Sequence, residues 1–197
     1  NLWFWGALTC FSQEHMQTFG YLSSMLPIIK ELYPDKKEQQ EKIHAYTAFF
    51  NTNPMLGSVI IGTTASMEEA RANGKGIDGE TINDMRAGLM GPIAGIGDSL
   101  IDGTLIPILL GLALGMSQNG SPVGAIFYII VWDLIAYFGQ RFLYFRGYKL
   151  GDKAVSILVG KQGKAIRHAI SIIGGMVVGG VLASWVNVTT SLQLKDS

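Results

Sequence analysis

Two aspartates, Asp98 and Asp102, lie in an apolar stretch rich in glycine and proline, GLMGPIAGIGDSLIDGTLIP (88–107). Its five glycines and two prolines favour breaks in regular backbone. Carboxylates and broken backbone are costly in an apolar segment unless they line a cavity or are covered by protein. In a soluble enzyme, such a stretch would form a strand-to-helix turn that carries a catalytic group. In a membrane transporter, it would form a re-entrant or interrupted helix beside a substrate.

Four further polar side chains interrupt apolar segments upstream of this stretch. Glu14 and Gln17 are three positions apart, so a helix would place them on one face. Asn51 and Asn53 form part of a polar break between the apolar runs 48–50 and 55–61. Because Asn53 precedes a proline, which disfavours helix, we expect both amides at a helix end. Helix capping and satisfaction of freed backbone are the structural alternatives to a binding role.

The octapeptide IGDSLIDG (96–103) resembles the nucleophile block of GDSL-type esterases, in which a distant histidine activates the serine. Those enzymes need an Asp-x-x-His later in the chain. Only His168 follows Ser99, and the residue three positions before it is Ala165. A serine without a base is inert, so we predict no catalytic residue here. No two histidines have metal-ligand spacing, so we predict neither a metal site nor a cofactor.

The composition favours a membrane protein. Hydrophobic residues make up 48% of the 197 and charged residues only 15%, against about 25% charged in soluble domains. The mean hydropathy is +0.29. The net charge is zero and there is no long basic run, which argues against a nucleic-acid partner. The single cysteine, Cys10, excludes a disulfide within the chain.

The pattern along the chain predicts an all-α, polytopic membrane protein with spanning helices, re-entrant or broken half-helices and amphipathic surface helices. Pro27 should bend or end the first apolar segment. The polar run 33–46 should be a solvated helix, and 66–86 a surface helix and loop. The apolar run 105–116 is too short to span a bilayer and suits a half-helix, whereas 169–188 is long enough to span. A turn at 118–122 precedes the second apolar run, 123–138.

Glycine spacing predicts which helices pack closely, and the basic residues predict how the chain is oriented in the membrane. GxxxG pairs occur at Gly111 and Gly115 and at Gly175 and Gly179, and this spacing lets helices approach closely in lipid. Basic residues dominate 141–167, so this segment should be cytoplasmic. The helix at 169–188 would then run outward, and the turn at 118–122 would be external.

The chain resembles the membrane-embedded IID component of mannose-type (mannose–fructose–sorbose) phosphotransferase systems (PTS). The matching runs are long and cover essentially all 197 residues. Where the family often has proline after Gly97–Asp98, this chain has Ser99. The runs that carry the resemblance are QEHMQTFGYLSSMLPIIKELYP (13–34), FFNTNP (49–54), EEARANG…I (68–77) and GLMGPIAGIGDSLIDGTLIP (88–107).

The resemblance implies one IID membrane domain over 1–197, loosely an N-terminal helical part (1–87) and a membrane core part (88–197). It implies a fragment without the apolar C-terminal segments of the family. Implied partners are a IIC membrane subunit, with trimers of IIC–IID pairs in the bacterial cell membrane, and cytoplasmic A and B components that phosphorylate the sugar. Some members also act as bacteriocin receptors.

Uptake of mannose- or glucose-type hexoses would then be the function of the complex, with no catalysis by this chain itself. Sugar hydroxyls need paired donors and acceptors in a dry, concave site, which carboxylates and amides supply. The alternative is a scaffold that shapes the IIC partner without touching sugar. The candidate sugar-binding residues are Glu14, Gln17, Asn51, Asn53, Asp98 and Asp102.

Overall fold

The computed structural model describes residues 2–9 and 11–151, which form a set of packed helices. Within these residues there are no strands, only isolated bridges that join Met16 to Ser12 and to Phe50. The all-α class is therefore confirmed. The elements are α1 (Leu2–Gly6), α2 (Thr18–Leu32), α3 (Lys36–Ala45), α4 (Ser58–Ala72), α5 (Gly79–Gly97), a π-helical segment (Asp98–Leu105), α6 (Ile106–Met116), a short 3-10 turn (Gln118–Gly120) and α7 (Val123–Leu150).

Helices α1, α2, α4 and α5 share one apolar core. Tyr21 and Met25 on α2, Ile60 on α4 and Leu89 on α5 are all essentially inaccessible to solvent. Phe50, in the segment between α3 and α4, stacks on Tyr21 with ring centroids 4.2 Å apart. Burial of these large side chains holds α2, α4 and α5 together.

The solvated helix predicted at 33–46 is confirmed as α3, which has no buried residue. The Asp35 carboxylate accepts hydrogen bonds from the backbone N–H groups of Lys37 (3.1 Å) and Glu38 (3.0 Å). Asp78 caps α5 in the same way, accepting from Thr81 N–H at 2.7 Å.

Two helices are long and apolar enough to cross a membrane. One runs continuously over Gly79–Met116, and the other is Val123–Leu150. The turn between them brings α6 and α7 into contact. Many of their large apolar side chains are exposed, among them Ile108, Leu114 and Phe138. Such a surface is compatible with lipid or with another apolar protein surface.

Helices α4 and α7 approach each other through glycine. A side-chain carbon at Gly62 would collide with the carbonyl oxygen of Tyr144, and one at Gly147 would collide with that of Val59. The Thr63 hydroxyl donates to the Gly147 carbonyl across the same contact, at 3.2 Å. Only glycine permits this backbone separation.

Two expectations about helix ends differ from the structure. Pro27 does not end the first apolar segment, because it lies inside α2, which continues to Leu32; the expected bend at Pro27 stays a prediction. Residues 105–116 do not form a separate half-helix, because α6 continues α5 through the π-helical segment. The interruption expected at 88–107 is a change of hydrogen-bond register, with the Ile106 N–H bonded to the Ile101 carbonyl. This register keeps backbone groups paired in an apolar segment, where unpaired groups are expensive.

The predicted glycine contacts are not made within the described part of the chain. No atom lies within 4 Å of where a side-chain carbon at Gly111 or Gly115 would be. Both glycines face away from the other described helices, so contact with a partner stays a prediction. Gly175, Gly179, the predicted span 169–188 and most of the basic segment 141–167 lie outside the described residues.

Candidate functional site

The structure brings three of the six candidate residues together. The side-chain amide nitrogen (Nδ2) of Asn53 donates to Asp98 Oδ1 at 3.1 Å and to Asp102 Oδ2 at 2.9 Å. One amide group therefore bridges two carboxylates that would otherwise repel each other. We call Asn53, Asp98 and Asp102 the carboxylate–amide cluster.

The π-helical segment carries both aspartates. They are four positions apart, so their side chains leave the same side of the helix. Gly97 lies directly beside Asn53, and a side-chain carbon at this position would collide with the Asn53 side chain. Glycine at 97 is thus what allows the amide to reach across to both carboxylates.

Asn53 is buried, and several contacts fix its position. Its Oδ1 accepts from the backbone N–H groups of Met55 (3.1 Å) and Leu56 (3.3 Å), which caps the turn before α4. The Gln17 side chain pairs with both backbone groups of neighbouring Thr52, donating at 2.8 Å and accepting at 3.1 Å. On the other side of Asn53, the Trp3 indole N–H donates to the Pro54 carbonyl at 2.7 Å.

The two carboxylates retain free acceptor capacity. Asp98 and Asp102 are both exposed, and each carboxylate can accept several hydrogen bonds. Asp102 lies about 20 Å along the helix from Met116, where the helix ends, at about 1.5 Å per residue. A helix that leaves the hydrocarbon layer near Met116 would place the cluster within that layer, which is about 30 Å thick. Charged side chains at such a depth usually mark a substrate or ion pathway.

The other three candidates do not join the cluster. Glu14 and Gln17 were expected to share one helix face. They do not, because α2 starts only at Thr18 and residues 13–15 form turns. The Glu14 side chain is 85% exposed, while Gln17 is buried and used in positioning. Asn51 is exposed, and its backbone N–H lies 3.4 Å from the Met90 sulfur.

The esterase hypothesis finds no support in the geometry. The Ser99 hydroxyl donates back to the Gly95 carbonyl at 2.8 Å within the helix, rather than to a base. Among the described residues, no group of three histidine, cysteine or carboxylate side chains could hold a metal ion.

The sequence matches the family described as "PTS system mannose/fructose/sorbose family IID component" over residues 1–197. The chain belongs to this family of IID components. The fructose permease IID component of Bacillus subtilis (strain 168) is 35% identical over 196 residues, covering 96% of this chain and 70% of the relative. The mannose-specific EIID component of Escherichia coli (strain K12) is 35% identical over 187 residues, covering 92% of this chain and 65% of the relative.

Solved structures agree with this assignment. The chain is similar to one in the cryo-EM structure of the mannose transporter ManYZ in complex with microcin E492, with a TM-score of 0.73 and 33% identity. That comparison covers 93% of this chain and 68% of the other. The resemblance seen in the sequence and the membrane fold class are thus both confirmed. This IID chain spans about two thirds of the length of these relatives.

A second polar cluster in this IID chain was missed by the sequence analysis. Glu68 is 1% exposed, and its carboxylate accepts from the Tyr33 hydroxyl at 2.8 Å and the Tyr46 hydroxyl at 2.5 Å. Arg71 lies 3.4 Å from the same carboxylate. Burial is the main cause that raises the pKa of both tyrosines, so they remain protonated donors at neutral pH. The i,i+3 spacing of Glu68 and Arg71 was the only available sequence signal.

Proposed function

We propose that this IID chain pairs with a IIC membrane subunit to form the sugar-translocating unit of a mannose-type phosphotransferase permease. The unit would take up mannose- or glucose-type hexoses, and the A and B components would phosphorylate them. Relatives named as mannose-specific, fructose and sorbose-specific components support this class of substrate. The two apolar helices support a multi-pass protein of the bacterial cell membrane.

The carboxylate–amide cluster is the observation that carries the proposal. Asp98 and Asp102 lie on a π-helical segment, a distortion often found at functional sites, and the span Gly79–Met116 would bring them to membrane depth. The Asn53 amide carries no charge and occupies only one oxygen of each carboxyl group, so both groups keep free acceptor positions. Sugar hydroxyls are donors of the right kind for them, and the exposed side of the cluster is open to a ligand or a moving element.

A scaffold role is the alternative, and two observations favour it in part. Gln17 and Asn53 use their amides to hold this chain's own backbone and side chains. The exposed apolar faces of α6 and α7 offer a large surface on which a IIC partner could pack.

A density map of the IIC–IID complex with hexose bound separates these roles. We expect a sugar oxygen within about 3.5 Å of an Asp98 or Asp102 carboxylate oxygen. A sugar enclosed by the partner alone, with no group of this chain within reach, would assign the scaffold role instead. A map of the same complex without sugar is the control, because density retained at the site would then be solvent or lipid.

We further propose that three IIC–IID pairs assemble together and that the extracellular part can dock bacteriocin peptides. The structural similarity to a chain of a mannose transporter solved with a microcin supports the second point. Gly111 and Gly115 on α6 are open to close approach by a neighbouring helix, which supports the first.

A further inference from the structure

A cavity of about 220 Å³ lies away from the carboxylate–amide cluster, between α1, α4 and the C-terminal half of α7. Aromatic side chains form much of its wall, including Trp3, Tyr137 and Tyr144. Two polar side chains of α7, Gln140 and Arg141, also line it. The cavity therefore combines apolar rings with one positive charge and one amide.

The polar groups of this cavity lack partners among the described residues. The side-chain oxygen (Oε1) of Gln140 is buried and accepts no hydrogen bond there. A buried acceptor without a donor is costly, so a ligand that brings a donor would be stabilised. Arg141 stacks on the Phe145 ring at 5.2 Å, and none of the ion pairs in the described part of the chain involves it. A ligand with an anionic group and a hydroxyl would satisfy both.

The position of the cavity along α7 indicates the level of the membrane at which it opens. Arg141 lies about 27 Å along the helix axis from Val123, at about 1.5 Å per residue. The hydrocarbon layer is about 30 Å thick, so a helix that enters near Val123 brings Arg141 close to the opposite interface. Arg146 and Lys149 follow at the same end, which is the pattern of a cytoplasmic boundary.

The surface next to the cavity is suited to acyl chains. Phe138, Phe142 and Phe145 on α7 are 46% to 60% exposed. Aromatic residues at an interface and a basic pocket between helices are the features that bind anionic lipid headgroups. A soluble phosphate ester would gain nothing from this apolar rim, so the observations favour a lipid.

We propose that this cavity binds the headgroup of an anionic phospholipid that carries free hydroxyls, namely phosphatidylglycerol. The phosphate would lie at the Arg141 guanidinium, a glycerol hydroxyl would donate to Gln140 Oε1, and the acyl chains would follow the exposed face of α7. This inference goes beyond the proposed function and is independent of the sugar site.

Native mass spectrometry of the purified IIC–IID complex tests the proposal, with phosphatidylglycerol, phosphatidylethanolamine or phosphatidic acid added. The wild-type complex should retain phosphatidylglycerol in preference to phosphatidylethanolamine. Arg141→Gln should lower that retention by about fivefold. Arg146→Gln is the matched control, because Arg146 stacks on Phe142 and does not line the cavity. It should leave retention unchanged.

A second variant tests the hydroxyl contact. Gln140→Leu should weaken retention of phosphatidylglycerol but not of phosphatidic acid, which has no headgroup hydroxyls. Equal phosphatidylglycerol retention by Arg141→Gln and wild type would overturn the proposal. So would displacement of the lipid by soluble glycerol phosphate, which would assign the cavity to a soluble ester. Loss of the IIC partner in Arg141→Gln would equally count against it, because the cavity would then be a subunit contact.

Discussion

At the scale of single residues, buried polar groups in this protein act in sets rather than alone. Glu68 is kept as a buried carboxylate because two tyrosine hydroxyls and Arg71 surround it. Burial first, and then the nearby Tyr21 and Glu68, raise the pKa of Tyr46. A raised tyrosine pKa contributes stability that is present below the ordinary tyrosine pKa of about 10 and is lost as the pH rises through the folded-state pKa. The cluster is therefore intact at physiological pH.

Tyr46→Phe should destabilise the protein, because the substitution removes a donor to a buried charge. We expect a loss of about 1.5–3 kcal/mol, the range for hydrogen bonds to charged groups. Thermal unfolding of the detergent-solubilised complex measures this as a lower midpoint. Tyr128→Phe is the control, since the Tyr128 hydroxyl makes no hydrogen bond to another described residue. Equal midpoints for the two variants would contradict the structural role given to Tyr46.

At the scale of helices, features set by the local sequence could be predicted, whereas features set by packing between segments could not. The polar run 33–46 correctly indicated the solvated helix α3, which the Asp35 side chain caps. The glycines and prolines of 88–107 correctly indicated an irregularity, but could not show that it is a π-helical segment. Register depends on what the helix packs against, here Asn53 beside Gly97. For the same reason, the GxxxG spacing predicted a close helix contact at Gly111, whereas Gly62 and Gly147 make the close contact between α4 and α7.

Gly147→Ala should loosen the α4–α7 contact, because the added carbon meets the Val59 backbone. Overpacking of this kind costs about 1–3 kcal/mol. Gly88→Ala is the matched control, since no atom lies within 4 Å of its added carbon. That variant should be neutral or more stable by up to about 1 kcal/mol, from helix propensity. The heat resistance of the two variants is compared by size-exclusion chromatography after heating to a series of temperatures. A Gly147→Ala protein at least as heat-resistant as Gly88→Ala would contradict the packing described.

At the scale of the whole molecule, a packed N-terminal core supports two long apolar helices whose outer faces are exposed. The core positions Asn53, and the first long helix positions Asp98 and Asp102. All three residues were predicted as candidates but not as a group, because they meet only through the packing of the 51–54 segment against α5. Glu14 and Gln17 were predicted to share a helix face, but residues 13–15 form turns before α2. Sequence spacing predicts which residues are neighbours within one helix, but not which residues of different segments come into contact.

The measurement that tests the central claim most directly is sugar uptake by the IIC–IID complex carrying Asp98→Asn. Asparagine keeps a carbonyl acceptor for the Asn53 amide, so assembly should survive, while the charge is lost. We predict uptake at least about tenfold lower, which corresponds to about 1.4 kcal/mol in the limiting step. Asp84→Asn, an exposed carboxylate of α5 outside the cluster, should transport like wild type. Wild-type uptake by Asp98→Asn, or its failure to assemble, would contradict a role of this charge in transport.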